Sequence, residues 1–164
     1  MIPRTYPRKM RTFINLFLAL ILLWSAVSAI RIQVSGSWNL VLTGADLEGP
    51  PGSNLRPEHE SLSDAVRIRV KERRDWEVDV RKSDINWHPD LHLFIRRTSD
   101  GKGRRGSVII GGWNYQEISD FDQRWFWGRG DRDNINTQLK ISGVSVSLPA
   151  GMYTTIITYT AIEL

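Results

Sequence analysis

The sequence contains no cysteine. That absence excludes a disulfide framework, a thiol nucleophile and any metal site built on thiolates. No Gly-x-Ser-x-Gly, His-Glu-x-x-His, phosphate-cradling loop or dinucleotide fingerprint occurs, so the local signatures of common hydrolases and nucleotide enzymes are missing. Histidine is scarce, with His59, His88 and His92 only. His88 and His92 share a sheet face by parity, but Pro89 interrupts the strand between them, and a metal site needs three or four converging ligands. No pair of carboxylates stands out as a general acid and base. No catalytic residue is assigned, and a secreted hydrolase is kept only as a residual reading. Asn-x-Ser/Thr acceptors are absent too, which together with the lack of cysteine points to a bacterial secreted protein.

An excess of one charge is also missing once the N-terminus is set apart. The chain opens with a basic segment (Arg4, Arg8, Lys9, Arg11), an apolar run from Phe13 to Trp24 and the small-residue stretch SAVSA ending at Ala29. That order is the pattern of a secretory signal peptide over 1–29, with the cut before Ile30. An uncleaved anchor is the competing reading, because the apolar stretch reaches the length that spans a bilayer. Removing the four basic residues from the 22 Lys+Arg leaves 18, equal to the 18 Asp+Glu. The pI of about 9.7 therefore describes the leader and gives no support for nucleic-acid binding, which needs a concentrated basic surface.

What is present is period-two alternation, the mark of strands with one buried face. Ile30, Ile32 and Val34 alternate with polar residues, and after Gly36 the pattern resumes at Trp38, Leu40 and Leu42. A Gly- and Pro-rich stretch from about Gly44 to Ser61 reads as a long loop. Val66, Ile68 and Val70 are followed by Trp76, Val78 and Val80, and a hairpin around ERRD would set Lys71 against Glu77 and Arg69 against Asp79. Leu91, Leu93 and Ile95 come next, then the glycine-rich TSDGKGRRG as a hairpin loop, then Val108 and Ile110 before Gly111 and Gly112. Ile135, Thr137, Leu139 and Ile141 form another strand, followed by Val144, Val146 and Leu148 and, after a turn, by MYTTIITYTAIEL. Sustained helical periodicity is absent. The expectation is all-β: a single immunoglobulin-like antiparallel β-sandwich domain over 30–164.

The stretch DQRWFWGRGDRDN (Asp122 to Asn134) concentrates the candidate chemistry. On a strand, Trp125 and Trp127 share one face, and Trp113 with Tyr115 repeats the spacing on a neighbouring segment. Buried, these rings supply the core that a disulfide-free domain needs, and this is the favoured reading. Exposed in a row, Trp113, Tyr115, Trp125 and Trp127 would form a carbohydrate-binding platform, with a polysaccharide as partner. Asp131, Asp133, Asn134 and Asn136 crowd oxygen ligands as a calcium site would, although without the EF-hand spacing, and such residues are also ordinary turn formers. No other cofactor is expected. The tripeptide Arg129, Gly130, Asp131 has the composition of an adhesion motif and is equally ordinary turn chemistry.

The C-terminal SLPAGMYTTIITYTAIEL resembles the last strand of fimbrial and spore-coat-U-type secreted subunits, in which a glycine, here Gly151, precedes a terminal strand of alternating apolar residues. The resemblance covers this strand alone. It implies an incomplete immunoglobulin-like fold and an assembly strand using Tyr153, Thr154, Ile156, Thr158 and Ile162. Both parities of this strand are β-formers with no charge before Glu163, so it is expected to be covered on both faces or to meet another subunit. The expected function is that of a secreted, periplasmic or cell-surface structural protein, non-catalytic and filament-associated, which self-associates or meets other surface proteins. A carbohydrate-binding module is the alternative. After leader removal no membrane association is expected. N-terminal sequencing of the exported protein should find Ile30 first; an intact chain extracted only by detergent would show an anchor instead.

Overall fold

The computed structural model describes residues 29–164, so the expected signal peptide lies outside the described residues except for its last position. Alternation becomes two antiparallel sheets packed face to face, the expected all-β sandwich. The first sheet runs β1 (Arg31–Gly36), β3 (Val66–Lys71), β10 (Arg132–Ser142), β5 (His92–Arg97) and β8 (Gln116–Glu117), with two short strands, β2 (His59–Glu60) and β6 (Lys102–Gly103), also pairing β10. The second runs β11 (Thr154–Glu163), β4 (Asp75–Asn86), β9 (Gln123–Arg129) and β7 (Val108–Gly111). Val66, Ile68 and Val70 of β3, Leu93 and Ile95 of β5, and Ile135 and Leu139 of β10 face Trp76, Val78 and Val80 of β4 and Trp125 and Phe126 of β9. A smaller cluster of Leu91, Ile141 and Val144 adjoins this core, and Trp38 and Trp87 pack on both.

The expected hairpin between β3 and β4 does not form. β3 pairs with β1 and β10, whereas β4 pairs with β11 and β9, so residues 72–74 cross from one sheet to the other. The buried carboxylate of Glu72 makes the crossing: it accepts from the backbone N–H of Arg73 at 2.7 Å and of Arg74 at 3.0 Å. The two apolar runs then bury each other across the core instead of lying side by side, which removes more apolar area from water. The charges that suggested the hairpin find other partners. Arg69 and Lys71 pair with Asp133, and Glu77 with Arg124.

TSDGKGRRG is likewise a crossing, from β5 to β7, that pairs briefly with β10 as β6. Leu40 and Leu42 and the run Val144 to Leu148 are not strands. Gly36 (φ +107°) and Gly143 (φ +84°) end the preceding strands, and at each a Cβ would sit within 2.1 Å of a carbonyl oxygen, Ala65 O or Asp90 O. Only glycine permits that close approach with a positive φ. The expected loop from Gly44 carries a 3-10 turn over Gly44–Asp46, capped by Thr43, and its end is β2.

A bulge decides the tryptophans. The β4–β9 register slips between Val78 and Asp79, so Phe126 faces Val78 and Arg124 faces Asp79, leaving Trp125 as the extra residue. Trp125 and Phe126 both turn inward, while Trp127 points out and is 36% exposed. The expectation that Trp125 and Trp127 share the core face is thus corrected. Beside them Gly128 makes room for Trp76: a Cβ there would meet the indole at 2.6 Å. Trp76 is fully buried, donates from Nε1 to Gly130 O at 2.9 Å and meets Phe126 edge-on at 6.0 Å.

Arg97 joins the sheets near the same Phe126 ring, 5.9 Å from its centroid. It follows Leu93 and Ile95 in the inward parity of β5 and is 0% exposed. Its Nε and Nη2 donate to Gly111 O at 2.9 and 2.8 Å, and Nη1 donates to Ser99 O at 3.0 Å and to the Asp100 carboxylate. The guanidinium also lies over the Trp113 ring, 4.3 Å from its centroid. In urea unfolding, Trp125→Ala should lose about 3–5 kcal/mol as large core truncations do, whereas Trp127→Ala should change stability by about 0.5 kcal/mol or less, like ordinary surface changes. Equal losses would show that both rings face the core.

Candidate functional site

The terminal strand β11 is paired on one side only. It runs antiparallel to β4 from Thr154, opposite Asn86, to Glu163, opposite Trp76, and no strand hydrogen-bonds to its other edge among the described residues. The strand holds its line through the backbone of Leu164, which donates to Asp75 O at 3.0 Å. Parity divides its side chains. Thr155, Ile157, Tyr159 and Ala161 turn toward the core, where burial pushes the Tyr159 hydroxyl above its ordinary range. Thr154, Ile156, Thr158, Thr160 and Ile162 lie on the outer face, where Ile156 is 52% exposed. The strand is therefore covered on one face, and among the described residues nothing covers the other, so the first of the two expected alternatives, cover on both faces, is not met. Tyr153 lies just before the strand, its hydroxyl donating to Pro149 O at 2.5 Å.

The outer face beside this edge has a definite order. Ile162 stands opposite Glu77, Glu77 opposite Trp127 and Trp127 opposite Ile110, so one line of side chains crosses all four strands. The next line on one side joins Thr160, Asp79 and Arg124; on the other, Asp75, Arg129 and Val108. Arg124 holds the largely buried Glu77, and Arg129 grips Asp75 through a fork whose Nη2 contact is 2.8 Å. The result is a line of three apolar side chains interrupted by the largely buried Glu77 and framed by internally paired charges. Asp79 is the exception, with one carboxylate oxygen buried and unbonded. Burial, and then repulsion from Glu77 and Asp122, push its carboxyl above the usual carboxylate range against the pull of Arg124.

The other expected sites disperse. Trp125 is 5% exposed, Trp127 lies on the outer face of the second sheet, and Trp113 covers Arg97 on the crossing that follows β7. Tyr115 lies on the outer face of the first sheet, between Arg96 at 4.6 Å and Lys140 at 5.0 Å from its ring, with its hydroxyl pushed up to about 12 by burial and by Glu60. The four aromatics do not share a surface, so the carbohydrate platform of the alternative reading is not assembled. The reason is the bulge at Trp125 and the change of sheet between Gly111 and Gln116.

The calcium set comes apart for an electrostatic reason. Asp133 faces Arg69 and Lys71, and Asp131 faces Lys71 and Arg104, so protein cations already occupy these carboxylates. Asn134 and Asn136 belong to another surface. No cluster of three or more His, Asp or Glu able to hold a metal occurs among the described residues. His92 meets Glu117 at 2.7 Å, His88 packs edge-on against Tyr153 and His59 bonds Arg56 O, so the histidines are apart. The Arg129-Gly130-Asp131 tripeptide is the crossing from β9 to β10, and internal pairs hold both its charges.

Arg97 was not among the expected site residues. Its signal was available: an arginine in the inward parity of Leu93 and Ile95 must find acceptors inside. No protein-family model, curated protein or solved structure matches this chain.

The environment of Asp79 sets a pH dependence. A carboxyl whose folded pKa is raised contributes stability below its unfolded pKa and loses it as pH rises through the folded value. Asp79→Asn should therefore raise the melting temperature near neutral pH, with the difference from wild type shrinking toward about pH 3, where the native carboxyl is protonated. A variant equally shifted at both pH values would refute this assignment.

Proposed function

We propose that this chain is an exported, non-catalytic structural subunit of a cell surface or filament, and that it associates with further copies through the free edge of β11. The observation that carries this reading is the edge itself: a ten-residue strand with no charged side chain before Glu163, no proline and no glycine. Natural proteins normally blunt such an edge with lysine, proline, a bulge or a cover, because its unpaired backbone groups template pairing with another strand. Here lysine and proline are missing from the strand, and the register shift in its pairing lies at its very start, between Thr154 and Thr155, leaving the edge regular from Thr155 onward. The exposed Ile156 and Ile162 place apolar surface directly beside the unpaired backbone, and Trp127 and Ile110 add exposed apolar surface farther across the same face, beyond Glu77. Strand addition would satisfy the backbone and cover those side chains together. The N-terminal pattern supports export, and the terminal strand resembles those of fimbrial and spore-coat-U-type subunits.

Light scattering of the purified mature domain should show association that grows with concentration. Ile156→Lys and Thr158→Lys, both on the outward parity, should remain folded and become monomeric. A wild type that stays monomeric at about 1 mM, where even weak edge pairing is populated, would overturn the assembly reading.

A further inference from the structure

A second candidate site lies on the other sheet, away from the β11 edge. A cavity of about 410 Å³ opens where β6 crosses the bulge of β10, lined by Arg67, Ser99, Asp100, Lys102, Asn134 and Asn136 among others. The bulge lies between Arg132 and Ile135, and it holds Asn134 at φ +55°, the one positive φ outside glycine among the described residues. Backbone contacts lock both asparagines. Ser99 Oγ donates to Asn134 O at 3.3 Å and accepts from Asn136 N–H at 2.9 Å, while Asn136 O accepts from Thr98 N–H at 2.9 Å. Gly101 seats the floor, since a Cβ there would meet Asp133 O at 2.4 Å.

The side chains are less committed than the backbone. Neither carboxamide makes a hydrogen bond among the described residues, so each offers two donors and an acceptor to the cavity. Arg67 gives Nη2 to Asp64 at 2.6 Å and keeps its other donors. Lys102 has no ion pair among the described residues, and Asp100 is neutralised by the buried Arg97. Lys102 is thus the lining cation without a counter-charge, and the two asparagines are held at their backbones with their carboxamides unbonded.

We infer that this cavity binds a hexuronate unit of an acidic polysaccharide. A carboxylate answers Lys102 and the donors that Arg67 keeps beside its pair with Asp64, and ring hydroxyls, being donors and acceptors at once, answer the two carboxamides. A bare anion would leave the amide acceptors unused, and a neutral sugar would leave Lys102 unpaired. A metal cation is repelled, and a nucleic-acid base finds no aromatic ring in the lining on which to stack. The volume accommodates a sugar residue, and the open mouth lets the chain continue on either side.

The test is calorimetric titration of the folded domain with trigalacturonate, maltotriose and sodium sulfate. Trigalacturonate should bind, maltotriose and sulfate should bind at least about tenfold more weakly, and affinity should fall as salt screens the charges. Lys102→Ala and Asn136→Ala should each weaken trigalacturonate about tenfold. Asn134→Gly is the decisive variant: glycine accepts the left-handed backbone without strain, so the fold is kept while the carboxamide is lost, and binding should drop with an unchanged or raised melting temperature. Sulfate binding as tightly as trigalacturonate would reduce the site to an adventitious ion only and overturn the proposal. Equal binding of maltotriose, no binding of trigalacturonate, or full affinity in Asn134→Gly would overturn it as well. Because Arg67 and Asn134 belong to the first sheet, these results are independent of whether β11 mediates assembly.

Discussion

The guanidinium of Arg97 lies wholly between the sheets, and much of the structure is arranged to satisfy it. A buried cation without partners costs far more than a single domain can bear. Gly111 turns its carbonyl inward to accept from two of the guanidinium nitrogens, Ser99 supplies another carbonyl, and Asp100 supplies the counter-charge. Trp113 closes over the top. These partners come from the start of the β5-to-β7 crossing and from the end of β7 and its exit, so one side chain fixes the path of the chain between the sheets. In a domain without cysteine, this contact ties the two layers together where a disulfide is unavailable.

Crossings between layers, more than hairpins, organise the molecule. Glu72 turns the chain from β3 to β4, Arg97 governs the way from β5 to β7, and the Arg129-Gly130-Asp131 turn carries it from β9 to β10. At each crossing a charged side chain is consumed internally. That arrangement explains why features that look functional in sequence, the adhesion-like tripeptide and the acid-rich stretch after it, are tied up as structural ion pairs. The surfaces proposed for interaction are the outer edge of β11, which no crossing uses, and the cavity beside the β10 bulge, whose lining includes Ser99, Asp100 and Lys102 of the β5-to-β7 crossing.

The two bulges have opposite consequences. The one in β9 moves Trp125 into the core and leaves Trp127 outside, which breaks up an aromatic row. The one in β10 places Asn134 at the cavity beside Asn136, while Asp131 and Asp133 are held in ion pairs elsewhere. In the first case a single extra residue re-aims side chains that period-two parity would have grouped together; in the second it sets the backbone of Asn134 in the left-handed region.

Period-two alternation was enough to read the strands β3, β4, β5, β10 and β11 and the inward residues Val66, Ile68, Val70, Trp76, Val78, Val80, Leu93 and Ile95, because side-chain direction along a strand is a local property. The absence of cysteine and of catalytic motifs was equally legible, as was the uncharged character of the last strand. Which strands pair was decided only in the tertiary structure. Lys71 opposite Glu77 was a sound local match, yet the larger gain came from placing their strands in different sheets with their apolar faces together. The inward turn of Trp125, the burial of Arg97, and the convergence of Arg67, Lys102, Asn134 and Asn136 likewise depend on contacts between residues far apart in the chain. Local spacing carries no record of those contacts, whereas burial of apolar surface and the satisfaction of buried polar groups select among the pairings that spacing allows.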